Sequence, residues 1–289
     1  MRLLSLALTV MALPVAAALP QYNLYLADLN NDLSVTNAIK INETPTYVNQ
    51  PAFSQDSKSL FFTLEQGKDL AVQTDIARYD IADRKQQALT NTALSEYSPT
   101  LLPDGSGVSV VVVEADQTQR LWKVDAQGQT SVLKVEPKAV GYHAWGPDQD
   151  LLLFILGDKE DNHTVRYLDK AGKLTTLATN VGRALSWQPG SQKAYYTEVK
   201  QGQLYLSLYD VKTKTPTQTT LALPAGGQDF VWWSEDTLLV SAGTKIYQWQ
   251  VTAKQGWTLW LDLSKNCGTE VSRFALNRQR SQLAFVCKA

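Results

Sequence analysis

Between Tyr22 and Val286 short apolar runs alternate with polar turns, and the alternation is itself periodic. The clearest unit is Pro51–Phe62, P-A-F-S-Q-D-S-K-S-L-F-F. An apolar segment enters a turn centred on Asp56, and a second apolar segment leaves it. Related units surround Asp104, Asp148, Gly190, Asp236 and Gln279, at successive intervals of 48, 44, 42, 46 and 43 residues. Apolar runs of this length bounded by turn residues predict β-strands paired as hairpins. A period in this range, in β-rich units, is that of a propeller blade of four strands.

The second half of each unit repeats as well. Ile76–Asp80, Arg120–Asp125, Thr164–Asp169 and Tyr205–Asp210 are each a β-rich run followed by a turn and another strand. Each unit therefore supplies two hairpins, and no helical periodicity is sustained beyond the first residues of the chain. The two ends complement each other. Phe274–Ala289 holds two inner strands only, whereas Tyr22–Asp28, a polar turn and Leu33–Ile41 have the form of two outer strands. The predicted fold is all-β: a six-bladed β-propeller of four-stranded antiparallel blades. Its ring is closed by pairing the N-terminal outer strands with the C-terminal inner hairpin, which leaves no open end as a template for aggregation. Setting aside 18 of the 289 residues leaves 271, or about 45 for each of six blades.

Those 18 residues carry a different pattern. Arg2 precedes an apolar run, Leu3–Ala18, that contains Pro14 and ends in Ala16-Ala17-Ala18. This is the form of a cleavable signal peptide. Residues 1–18 are expected to be removed, and residues 19–289 to form one propeller domain. The run is short for a membrane span, and no later stretch is long and apolar enough for a transmembrane segment. The expected compartment is a bacterial periplasm. A hydrophobic content of 44% supports a large core, and a net charge of −1 offers no basic surface for nucleic acid. The two cysteines, Cys267 and Cys287, fall in the same terminal blade, and an exported protein meets an oxidising environment. A disulfide between them is expected; two unpaired thiols are the alternative.

The pattern P-x-F-S-x-D, followed by a small polar turn and L-x-F, resembles the WD-like repeat of the TolB-type propeller family. Pro51–Phe62 carries it best, Ser98–Gly105 next, and Gly146-Pro147-Asp148 in part. Gly190 replaces the aspartate in the fourth unit, Glu235-Asp236 lacks the proline in the fifth, and Asn277-Arg278 in the sixth is degenerate. The resemblance spans Tyr22 to Val286 and implies the propeller fold. It implies no single function, because the repeat recurs in unrelated roles. TolB itself carries an α/β domain before its propeller, and no such domain is expected here.

Asp56, Asp104 and Asp148 recur with the period in turns where a carboxylate bonds local backbone, so a structural role is expected. Asp28–Asp32 resembles a calcium loop only briefly, with Leu33 where glycine is required. Trp145, Trp187 and Trp233 share a column expected to pack between blades. Trp232, Trp249, Trp257 and Trp260 cluster in the fifth unit, where core packing competes with an aromatic carbohydrate platform. His143 and His163 match no metal-ligand spacing, and no metal or cofactor is expected. There is no G-x-S-x-G elbow, phosphate-cradling glycine loop or dinucleotide fingerprint.

The connections that enter the inner strands are expected to converge on the ring axis. They carry Tyr47, Asn49, Glu96, Tyr97, Tyr142, His143, Arg183, Asp229 and Arg273, with Gln228 and Glu270 beside them. A concave funnel of aromatic, acidic and basic groups suits a peptide end or a small polar ligand. The loop from Glu65 to Thr74 is expected on the same rim. The function these features support is that of an exported, non-catalytic, monomeric module that binds a protein or peptide of the cell envelope. The alternatives are a small-ligand sensor and a metal-dependent propeller hydrolase or lyase acting on a small polar or carbohydrate substrate. The enzyme would draw on Glu96, His143, Asp229 and Glu270.

Overall fold

The structure, a computed structural model, describes residues 19–66, 73–253 and 255–289. The expected signal peptide and the middle of the expected rim loop, residues 67–72, lie outside the described residues.

The described strands form six four-stranded antiparallel sheets. Blade one consists of β3 (Val48–Phe53), β4 (Ser59–Gln66), β5 (Gln73–Asp80) and β6 (Lys85–Ala88). The later blades start from the inner strands β7 (Ser95–Leu101), β11 (Val140–Trp145), β15 (Val181–Trp187), β19 (Phe230–Trp232) and β23 (Val271–Leu276). Each inner strand neighbours the next, and β23 returns to β3. The sole helical element among the described residues is a 3-10 turn at Glu160–Asn162. No helix among them is long and apolar enough to cross a membrane.

Blade six joins the two ends of the chain, as the sequence predicts. Its order is β2 (Val35–Lys40), β1 (Tyr22–Leu29), β24 (Gln282–Lys288) and β23. β1 pairs with β24 from Tyr22↔Lys288 to Asp28↔Gln282. The disulfide Cys267–Cys287 is present, with the two Cα atoms 5.3 Å apart. Cys287 lies opposite Val271, so the bridge ties the connection that enters β23 to the end of β24. Both cysteines are buried.

Burial explains why the apolar runs are continuous rather than alternating. β12 (Leu151–Ile155), L-L-L-F-I, is buried at every residue, whereas β6 is exposed at every residue. A strand near the middle of a blade is covered on both faces by the neighbouring blades, so both faces need apolar side chains. The apolar clusters accordingly sit at the blade junctions. At the closing junction, Leu24, Ala284 and Val286 of blade six meet Phe53, Leu60 and Phe62 of blade one. Fully burying a side chain of this size contributes about 1.5–3 kcal/mol.

Two of the three recurring aspartates, Asp56 and Asp104, do the local work expected of them, and Asp236 does the same; Asp148 instead accepts from Gln192 Nε2 of the next blade at 3.0 Å. Asp56 Oδ1 accepts from Ser54 Oγ at 2.7 Å and from the Lys58 amide at 3.1 Å. Asp104 accepts from the Ser106 hydroxyl and amide, and Asp236 from the Ser234 and Thr237 hydroxyls. These bonds hold all three carboxyls below their ordinary pKa. The residue after the turn position is left-handed in five blades, at Ser57, Gly105, Gln149, Gly190 and Arg280. Gly190 is thus the left-handed residue itself, and Pro189 occupies the turn position of its blade. A Cβ at Gly190 would also lie 2.8 Å from Glu235 Oε1.

The tryptophan column packs between blades in part. Trp145 Nε1 donates to Ser109 Oγ at 2.9 Å, and Trp187 Nε1 donates to the Ala144 carbonyl at 3.1 Å, each in the preceding blade. Trp233 instead rests on Trp260 of its own blade and under Arg280 of the next. Trp232 and Trp260 are buried in the core, which takes them out of any surface platform.

Candidate functional site

The inner strands are irregular where they approach the axis. Pairing with the second strand shifts register between Asn49 and Ala52, Tyr97 and Thr100, Val140 and Tyr142, Val181 and Leu185, and Val271 and Arg273. An extra residue in one strand bends it and re-aims its side chains. In the first two blades the irregular residues, Gln50 and Ser98, have φ of 54° and 57°. In blade four Gly182 fits because a Cβ there would lie 2.3 Å from Thr197 Oγ1.

The result is a ring to which each blade contributes one side chain: Tyr47, Tyr97, Tyr142, Arg183, Asp229 and Arg273. Tyr47 meets Tyr97 edge-on with ring centroids 6.2 Å apart. Tyr22, at the start of β1, meets the other side of Tyr47 at the same distance. Burial and the nearby hydroxyls of Tyr142 and Tyr97 push the Tyr47 pKa up, against a smaller lowering from Arg273.

The other half of the ring is ionic. Arg183 donates from Nη2 to Asp229 Oδ2 at 2.7 Å and from Nε to Oδ1 at 3.4 Å. Arg273 Nη1 donates to the same Oδ2. The Arg273 guanidinium also lies over the Tyr142 ring, 5.4 Å from its centroid. Arg273 belongs to blade six and Tyr142 to blade three, which face each other across the axis. The arginine therefore spans the axis and obstructs the channel. Burial and Arg183 lower the Arg273 pKa to about 10, so it remains charged at neutral pH.

Of the remaining expected residues, Asn49 lines a cavity with Arg183 and Asp229, whereas Glu96 and His143 lie elsewhere. Asn49, Glu96, Tyr97, Tyr142, His143, Arg183 and Arg273 are on the strands and not in the connections before them; Tyr47 and Asp229 precede their strands. Neighbouring strand residues point to opposite faces, which separates His143 from Tyr142. His143 is buried, with Nε2 2.6 Å from Ser109 Oγ at the junction of blades two and three. Burial lowers its pKa to about 3, so the ring is neutral. Glu96 is also buried. The Thr90 and Thr92 hydroxyls donate to it, and burial raises its pKa. It braces the connection into blade two. Asn49 Oδ1 accepts from the Gln50 amide at 2.8 Å and so stabilises the irregular turn of the strand. His163 Nδ1 accepts from the Gly157 amide, and its ring is 5.0 Å from Phe154. The two histidines do not converge, and among the described residues no three His, Cys, Asp or Glu side chains gather as metal ligands.

Three cavities surround the ring on this face, of about 790, 660 and 270 Å³. The largest lies against Tyr47, Tyr97 and Tyr142. The other two share Arg183, and the smallest is also lined by Glu270. Tyr22, Gln50 and Ser98 belong to this face although sequence reasoning missed them. Gln50 and Ser98 each precede a proline, which is the available signal for an irregular strand.

These features define a six-bladed β-propeller with a ring of aromatic and ionic side chains at its axis. No protein-family model matches the sequence, and no curated protein is significantly similar to it. Solved structures share the fold. A putative TolB from Agrobacterium tumefaciens has a TM-score of 0.64 at 12% identity, over 93% of this chain and 99% of that one. TolB from Acinetobacter baumannii has a TM-score of 0.53 at 19% identity, over 68% of this chain and 49% of that one. An oligogalacturonate lyase in complex with manganese has a TM-score of 0.58 at 14% identity, over 92% of this chain and 83% of that one. The chain has the TolB-like β-propeller fold.

Proposed function

We propose that this chain is an exported, non-catalytic envelope protein that binds a protein or peptide partner on its funnel face. The observation that carries this reading is the axial ring. Six blades present six side chains, three aromatic and three ionic, around the axis. Aromatic and arginine side chains are the types that dominate binding energy at interfaces. The disulfide and the two TolB structures support an exported, TolB-like role. The signal peptide directs the chain to the periplasm, where it acts as a monomer.

The test is a photoreactive residue at Tyr97 or Arg183, irradiated in intact cells. A discrete crosslinked envelope protein is expected, absent when the probe sits on the outer strand at Gln87. Capture of background alone at both funnel positions overturns the reading. The manganese-bound lyase among the fold relatives keeps metal-dependent chemistry as the competing reading. Metal analysis of chelator-free protein separates the two, because stoichiometric manganese, calcium or zinc favours the enzyme.

A further inference from the structure

Arg183 is the more exposed of the two funnel arginines, and one edge of it is unused. Its Nε and one Nη2 hydrogen go to Asp229. No other acceptor among the described residues takes a hydrogen from this guanidinium, and its side chain is 34% exposed. A guanidinium has five N–H groups in a fixed fork, and the edge formed by Nη1 and Nη2 matches the two oxygens of a carboxylate. Asp229 holds the plane of that fork, so the free edge is already oriented.

The surroundings narrow the ligand further. Two arginines share one aspartate at the axis, which leaves one excess positive charge there. Glu270 offsets that charge in the smallest cavity. The 660 Å³ cavity also has an acid, Asp161, but it adds apolar surface: Arg183 shares its lining with Tyr142, Phe154 and Leu204, together with Gln228 and His163. Apolar surface lines the same cavity as Arg183. Arg273 reaches across the axis to Tyr142 and obstructs the way through. An arginine across the axis disfavours a chain that threads through and favours one that ends there.

We infer that the funnel captures the C-terminal end of a partner polypeptide, its free α-carboxylate on Arg183 and its apolar last side chain against Tyr142, Phe154 and Leu204. This rests on the proposed partner-binding function and names the part of the partner that enters. A carboxylate on an exposed aspartate or glutamate presents the same oxygens, and the probes below distinguish the two sources.

The experiment uses three acetylated tripeptides and the mature protein, titrated by calorimetry or NMR. The probes are acetyl-Gly-Gly-Phe with a free carboxylate, the same peptide as its amide, and acetyl-Gly-Glu-Gly-amide. The free acid is expected to bind at least about tenfold more tightly than either other probe, since it alone offers a terminal carboxylate for a charge-assisted pair. Arg183→Met, which keeps the stem and removes the fork, should abolish that preference. Arg183→Lys should restore it only in part, and it controls for folding. Equal binding of acid and amide overturns the inference, as does absence of binding by any probe or a preference unchanged in Arg183→Met. Tighter binding of the glutamate peptide overturns it in favour of an internal acidic residue. Protein capture at Tyr97 reports the underlying function separately, so the terminal-carboxylate chemistry can fail while partner binding stands.

Discussion

The two faces of the propeller are built from the same repeat and treat it in opposite ways. On the turn face, Asp56, Asp104 and Asp236 each accept bonds from hydroxyl or amide groups within two residues of themselves. On the funnel face, the corresponding positions are Tyr47, Tyr97, Tyr142, Arg183, Asp229 and Arg273, and the contacts run between blades. Where the aspartate repeats its job is mostly local, Asp148 being the exception because it accepts from Gln192 of the next blade. Departure from repetition marks a position whose surroundings are shared by all blades. The turn face should therefore respond to substitution through stability, and the funnel face through binding.

The largest expected effect tests the part of the scaffold common to both faces. Replacing Cys267 and Cys287 by serine should lower stability by about 3 kcal/mol, in line with loop closure across 20 residues. Denaturant unfolding with and without reductant measures it. Partner capture at Tyr97 should survive at temperatures where the variant remains folded.

His143 gives the next effect. Its native pKa of about 3 lies below the ordinary 6.5 because burial disfavours the imidazolium. Between those values the unfolded chain binds a proton that the native chain does not. Stability is therefore fully present above pH 6.5 and falls as the pH drops towards 3. Glu96, raised by burial, works in the opposite direction through the acid range. The comparison of wild type with His143→Gln isolates the histidine. Between pH 6.5 and 4.5 the wild type should lose about 2 kcal/mol more than the variant. Equal losses would remove His143 from the blade junction and return it to the funnel.

Smaller effects sharpen the contrast between the faces. Asp104→Ala should cost about 1 kcal/mol, the usual worth of such local bonds, and leave partner capture unchanged. Tyr97→Ala should cost a similar amount or less, because the ring is half-buried, yet strongly reduce capture in a crosslinking experiment read from Arg183. If Asp104→Ala reduces capture as much as Tyr97→Ala, the division of labour between the faces is wrong.

Much of the architecture is legible in the chain. The spacing from Asp56 to Gln279 counts the blades, and the incomplete units at the two ends predict the composite blade and the disulfide within it. The funnel is legible only coarsely. Tyr47, Tyr97, Tyr142, Arg183, Asp229 and Arg273 can be selected by column, and they do meet. Glu96 and His143, their immediate neighbours, cannot be separated from them by column, because the register shifts in the inner strands decide which residue faces the axis. Gln50 and Ser98 mark two of those shifts, and only the proline after each hints at it.

What the sequence determined by itself is whatever depends on short-range order: strand, turn, repeat length, and hence the number of blades and the place of closure. The hydrophobic pattern and turn chemistry act within a few residues, so a linear string records them. What only the tertiary structure decided is the pairing across the axis: Arg273 over Tyr142, Arg183 and Arg273 sharing Asp229, and the guanidinium edge left unused. Those contacts join residues more than forty positions apart whose directions depend on local irregularities in six strands. A ring brings such residues together at its centre, and nothing local to any one of them specifies its neighbours there.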